Sequence, residues 1–264
     1  MNILYLGDVM GETGLELIER VLPKLRSEKK VDLVIAQAEN VTEGKGISLA
    51  DFRRLQKAGV DFCTGGNWSL HHDEINSAMS DPAQPIIRPA NYPAGTPGLG
   101  YKYVETKNGR VLVVSLLGHI VGKDSDKPVD NPLKVIKHIL DKQKDVKKLA
   151  IVVNFHGDYS SEKVVIGHYL DGLATAVIGD HWHVPTADAR VLPNGTAHIT
   201  DVGMCGALDA SLGVKLSSII PRWRDGKPTR NILETDGRKQ LNAVLIKANH
   251  EGLADSIEQI QRVF

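Results

Sequence analysis

Five short stretches of this chain end in side chains that can bind a cation: Gly7-Asp8, Glu39-Asn40, Gly66-Asn67, Phe155-His156 and His181-Trp182-His183. The last is the most suggestive, because His-x-His in a loop can aim two imidazoles at one point. Each stretch follows an apolar run of strand character. In open α/β sheets, ligands bind beyond the carboxyl ends of the strands, so the five loops are expected to converge on one crevice. The combined set is three histidines, two carboxylates and two carboxamides, with no thiolate. That is too many donors for one tetrahedral zinc, and it suits two adjacent ions of Fe, Mn or Zn type. A carboxylate is the natural bridge, and a pair of such ions serves phosphoester hydrolysis.

The elements that must hold these residues are readable from apolar periodicity. Strand-like runs at residues 2–7, 31–37 and 60–64 alternate with helical patterns at 13–29 and 48–58, which is the rhythm of βαβ units. Ser48 and Asp51 predict a capping box for the second helix. The Pro- and Gly-rich stretch 88–98 reads as a long ordered loop. Lys107-Asn108-Gly109 then predicts a β-hairpin between 101–105 and 110–116. Asn131-Pro132 starts a helix to about residue 143, followed by strands at 149–154 and 174–178. Pro193-Asn194-Gly195 predicts a second hairpin, and Asp236-Gly237 a third, between 231–234 and 240–247. The expectation is one domain over residues 1–264, with strands in two sheets and helices outside.

Composition narrows the function classes. The chain has 32 basic and 32 acidic residues. It therefore has no overall field that would announce a nucleic-acid partner, and an anionic substrate needs a local attractor. Cys63 and Cys205 imply no disulfide framework, and Cys63 sits within an apolar run as a buried thiol. The N-terminus opens directly on a strand, and no apolar run approaches membrane-spanning length. A cytoplasmic protein with no membrane partner is the expectation; a homo-oligomer is compatible with it.

The ordered motifs resemble those of the YmdB-like family of bacterial metallophosphoesterases. They are Gly7-Asp8-Val9-Met10-Gly11, Glu39-Asn40, Gly66-Asn67, Arg88-Pro89-x-Asn91, Phe155-His156 with Ser161-Glu162-Lys163, Gly179-x-His181-x-His183, and Thr200-Asp201-Val202-Gly203-Met204. The resemblance runs from Met1 to about Gly213. It implies an α/β calcineurin-like fold, with two mixed β-sheets packed face to face and flanked by helices. It also implies a two-metal phosphodiesterase acting on 2′,3′-cyclic nucleotides or related phosphoesters through a metal-bridging hydroxide. Asp8, Glu39, Asn40 and His183 would hold one ion and Glu39, Asn67, His156 and His181 the other, with Fe the expected metal and Mn or Zn as alternatives.

One departure bears on the chemistry. The family's third motif reads Gly-Asn-His, and its histidine is taken to protonate the leaving oxygen; this chain has Trp68 there. An indole N–H has no useful acidity. His71 and His72 are the candidate substitutes, and His119 a further one where the family usually has arginine. Asn154 stands for a family Asp, and Gly157-Asp158-Tyr159 for Ala-Glu-Ala. Trp68 and Trp182 flank metal ligands and could stack on a nucleobase or pack as a hydrophobic wall. The competing expectation is a catalytically weakened regulatory protein that binds metal or nucleotide. A purely structural metal fits less well, because such sites are closed by four ligands.

Overall fold

The computed structural model describes residues 1–122 and 125–264. Two mixed sheets face each other. The first contains β1 (Asn2–Leu6), β2 (Asp8–Val9), β3 (Leu33–Gln37), β4 (Phe62–Thr64), β11 (Met204–Ala207), β12 (Lys239–Ala248) and β13 (Ala254–Val263), in the order β2-β11-β12-β1-β3-β4 with β13 paired to β12. The second contains β5 (Tyr101–Thr106), β6 (Gly109–Leu117), β7 (Ala150–His156), β8 (Ala176–Asp180), β9 (Arg190–Val191) and β10 (Ala197–Ile199), ordered β5-β6-β7-β8-β10-β9. Within them, β1-β3-β4 and β6-β7-β8-β10 run parallel.

Period-2 alternation explains the layering. Ile3, Tyr5, Leu33, Ile35 and Phe62 point from the first sheet into a shared core with Val111, Val113, Val152 and Ile178 of the second. Leu4, Leu6, Val34 and Ala36 point the other way, onto α1 (Gly11–Glu28) and α2 (Leu49–Ala58). Leu112, Val114, Val153 and Val177 do the same on the far side, beneath α4 (Pro132–Lys142) and α5 (Ser160–Tyr169). The chain also forms α3 (Ile75–Ser80) and α6 (Leu216–Asp225). Among the described residues, no helix is long and apolar enough to cross a membrane.

The first two predicted hairpins form, pairing β5 with β6 and β9 with β10 antiparallel. The third does not. Residues 231–234 contribute only a bridge between Val214 and Leu233, and β12 pairs instead with β13 along its whole length. The turn lies further on, where the Asn249 side chain accepts hydrogen bonds from the backbone N–H groups of Glu251 and Leu253, both at 3.0 Å. The capping box is also modified. Ser48 Oγ accepts from Asp51 N at 3.1 Å, but Ser48 N donates to Thr42 Oγ1 at 2.8 Å, and the Thr42 hydroxyl donates to Asp51 at 2.6 Å. Thr42 thus relays the contact that Asp51 was expected to make directly. The loop over 88–98 is ordered by Arg88, whose guanidinium donates to the carbonyls of Pro89, Thr96 and Pro97, and by Asn91, which donates to Leu117 O.

Phe62 is 1% exposed and sits where both sheets meet. Phe62→Ala is expected to lower the unfolding free energy by about 3–5 kcal/mol, the usual range for emptying a packed aromatic site. Urea denaturation should show a lower midpoint with an unchanged slope.

Candidate metal centre

The strand ends deliver the donors to one place. β3 leads into Glu39 and Asn40, β4 into Asn67, β7 ends on His156, and β8 ends on Asp180 just before His181 and His183. His156 Nε2 lies 2.8 Å from Glu39 Oε1 and 3.0 Å from Asn67 Oδ1. The His156 and His181 rings are 4.4 Å apart, and Glu39, His156 and His181 each offer one donor atom within 4.8 Å of the others. On the neighbouring side, His183 Nε2 lies 3.8 Å from Asp8 Oδ1, and Asp8 Oδ2 accepts from the His181 backbone at 3.3 Å. Asn40 follows Glu39 in the chain, its Nδ2 fixed on Gly44 O at 3.0 Å. Gly66 permits this crowding: a Cβ there would run into Glu39 and the His156 ring.

The donors suit cations. Among the described residues, Asp8 Oδ1 and Asn40 Oδ1 are buried oxygens without a hydrogen-bond partner, which is costly unless something positive meets them. Burial, reinforced by the Asp180 carboxylate, pushes the Asp8 carboxyl well above its ordinary range. Burial also pushes His183 down to about 4, helped by the neighbouring His181. A neutral imidazole is the form that ligates a metal. Burial opposes the charged forms of Glu39 and His156 too, but their mutual attraction wins, lowering the first and raising the second well above its usual value.

Asp180 fixes the centre from behind. Its Oδ1 lies 2.7 Å from His156 Nδ1, while Oδ2 accepts from Tyr5 Oη at 2.9 Å, Gln37 Nε2 at 3.2 Å and Asn154 Nδ2. A carboxylate in this position sets the tautomer and ring orientation of a ligating histidine. Asp180 appears in the sequence only as a neighbour of the histidines, and Tyr5 and Gln37 carry no local signal at all.

The His-x-His loop is strained. His181 has φ 104° and His183 φ 63°, both in the left-handed region that non-glycine residues rarely adopt. Such conformations cost about 1–3 kcal/mol each and persist only where the surroundings enforce them. The enforcement comes from a fully buried ion pair. Lys163 Nζ donates to Asp201 Oδ2 and to the Asp180 carbonyl, both at 2.7 Å, and Asp201 Oδ2 also accepts from Trp182 N at 2.9 Å.

The proposed substitute acids divide. His71 lines a cavity of about 310 Å³ together with Asn67, Trp68, Leu70, Tyr92 and Lys127. His72 is turned away from that cavity, with Nε2 2.9 Å from the Lys45 carbonyl. His119 pairs with Glu162 at 2.5 Å and stacks on Tyr159, outside the donor cluster.

A family model described as "YmdB-like protein" matches residues 4–260. The chain belongs to the YmdB-like family. It is 38% identical over 247 residues to the 2′,3′-cyclic-nucleotide 2′-phosphodiesterase of Bacillus subtilis, covering 93% of this chain and 90% of that one. A crystal structure from Mycoplasma pneumoniae described as a novel phosphatase superposes with a TM-score of 0.91 at 31% identity, covering 100% of this chain and 93% of that chain. A 5′-nucleotidase precursor from Thermus thermophilus shares the fold alone, with a TM-score of 0.55 at 12% identity over 100% of this chain and 54% of that chain. The architecture is therefore the calcineurin-like metallophosphoesterase fold of the family.

Lys163→Met leaves Asp201 buried without its cation, a change that typically costs about 3–5 kcal/mol. Chemical denaturation should show this loss. Lys163→Met combined with Asp201→Asn should recover part of it.

Proposed function

We propose that the chain is a two-metal phosphodiesterase acting on 2′,3′-cyclic nucleotides or closely related phosphoesters. As a member of a family whose relatives carry the names phosphodiesterase and phosphatase, it is a hydrolase of phosphoesters. The observation that carries the finer reading is the convergence of Glu39, His156 and His181 within 4.8 Å, beside the orphaned oxygens of Asp8 and Asn40. Asp8, Glu39, Asn40 and His183 would hold one ion, and Glu39, Asn67, His156 and His181 the other, with Fe, Mn or Zn suited to the N and O donors. Bound there, such ions supply positive charge to phosphoryl oxygens and acidify water.

The side chains of the protein do the rest. Glu39 would bridge the two groups of donors; its Oε1 lies 2.8 Å from His156 Nε2 and its Oε2 accepts from Trp68 N at 2.9 Å. Asp180 keeps the His156 ring in register, and Lys163 with Asp201 keeps His181 and His183 pointed at their partners. At the leaving oxygen, His71 is the candidate proton donor, because it shares a cavity with Asn67. Burial, with His72, Lys45 and Lys127 nearby, holds its pKa below the ordinary histidine value. His71 must be protonated to act, so its contribution is present at low pH and is lost as pH rises through that lowered pKa. Trp68 favours the second reading, a nucleotide-binding regulator of weak turnover; a nucleotide that raises the melting temperature yet is recovered unchanged would support it.

Metal analysis and turnover of bis-p-nitrophenyl phosphate test the assignment. Glu39→Ala should lose bound metal and activity by more than the roughly 10–100-fold that loss of a supporting partner costs. Metal-loaded protein whose turnover survives this substitution would refute it. His71→Asn should slow 2′,3′-cAMP hydrolysis, which expels a poor leaving group, by about 10²-fold or more. Bis-p-nitrophenyl phosphate should be nearly unaffected, and equal losses on both substrates would remove His71 from the acid role.

A further inference from the structure

We infer that the cavity walled by Trp68 and Tyr92 is a nucleobase subsite, in which the Trp68 indole stacks on the base while Lys45 meets the anionic groups of the nucleotide. The inference rests on the metal pocket being the phosphoester site, and it adds which part of the substrate is recognised and by what.

The cavity adjoins the metal donors. Asn67 lines it and also reaches His156 at 3.0 Å, while the backbone N–H of the next residue, Trp68, donates to Glu39. A group esterified to a phosphoryl at Glu39, His156 and Asn67 therefore extends into this space. Its volume of about 310 Å³ is large enough for a nucleoside. Its walls are flat and aromatic on one side, from Trp68 and Tyr92, with His71 edge-on to the indole at 5.4 Å between ring centres. Tyr92 is fixed by its hydroxyl donating to Gly66 O at 3.2 Å.

Two ammonium groups gather at the indole. Lys45 Nζ lies 4.7 Å and Lys127 Nζ 5.5 Å from its ring centre. Both lysines are exposed. The long stem of Lys45 can swing from the ring towards a phosphate, so an arriving base trades a cation–π contact for a stack while the charge stays near the anion. Base stacking on an aromatic side chain needs no hydrogen-bond code, because every base offers a π-face. Trp182 does not offer the same surface. Its Nε1 is committed to the Asp158 carbonyl at 3.0 Å, and its ring lies 3.9 Å from the fully buried Lys163 Nζ.

The test compares AMP with ribose 5-phosphate, which keeps the sugar and phosphate but lacks the base, by calorimetric titration of the metal-containing protein. Wild-type protein should bind AMP more tightly. Trp68→Ala should erase most of that preference, weakening AMP by roughly 5- to 150-fold and leaving ribose 5-phosphate nearly unchanged. Trp68→Phe, which keeps a stacking face, should retain most of the preference. Equal affinity of wild type for the two ligands, or a Trp68→Ala protein that folds normally and still prefers AMP, would overturn the inference. Turnover of bis-p-nitrophenyl phosphate by the same preparation reports separately on hydrolysis. A protein that cleaves this ester but ignores the base refutes the subsite alone, while one that prefers AMP yet cleaves nothing supports the subsite and counts against the hydrolytic reading.

Discussion

The Asp180 carboxylate is the contact on which the site depends. It ends a strand of the second sheet, yet it accepts hydrogen bonds from Tyr5 and Gln37 of the first, and from Asn154 and His156 of its own. A buried carboxylate left unsatisfied is far too costly to tolerate, so these donors must all be present at once. The two sheets are thereby held at one separation where the metal donors lie. The apolar core between the sheets supplies most of the attraction, but it would tolerate small sliding. The directional polar cluster does not.

Much of this was legible in the sequence. Apolar runs marked most of the strands, and polar residues just beyond them marked Asp8, Glu39, Asn67 and the His-x-His pair. The order of those motifs carried the family resemblance up to about Gly213, and the family model extends the match from residue 4 to residue 260. What stayed hidden has a common physical character. Tyr5 and Gln37 sit mid-strand or at a strand end with nothing local to distinguish them; their role exists only because the other sheet places Asp180 opposite. Lys163 is polar on a helix and would ordinarily face water, but Asp201 takes it inside. The left-handed backbone at His181 and His183 has no sequence signal, because the surroundings impose it against local preference.

The misplaced third hairpin has the same origin. Asp236-Gly237 is sound turn chemistry, but turn chemistry is local, and the partner of β12 is not. β12 is claimed by β1 on one edge and β13 on the other, so residues 231–234 are left to bridge Val214. The thirteenth strand alternates apolar and charged residues weakly, and it is recognisable chiefly through the long strand that it covers.

Because the donors are drawn from strand ends between Asp8 and His183, the centre has no local precursor. No hairpin or single βαβ unit contains it, and its closing contacts join distant residues, 89 positions apart for Asn67 and His156 and 173 for Asp8 and His181. Contacts of that kind form late, after the loop-closure entropy has been met by the rest of the fold. During synthesis, Asp8, Glu39, Asn40 and Asn67 leave the ribosome well before His181 and His183, so on the proposed assignment the nascent chain would hold half a cage that cannot select its ion. Metal choice would then be deferred until both sheets have docked, and an ion bound only by the finished fold would make the stability of the protein depend on how much free metal its surroundings provide.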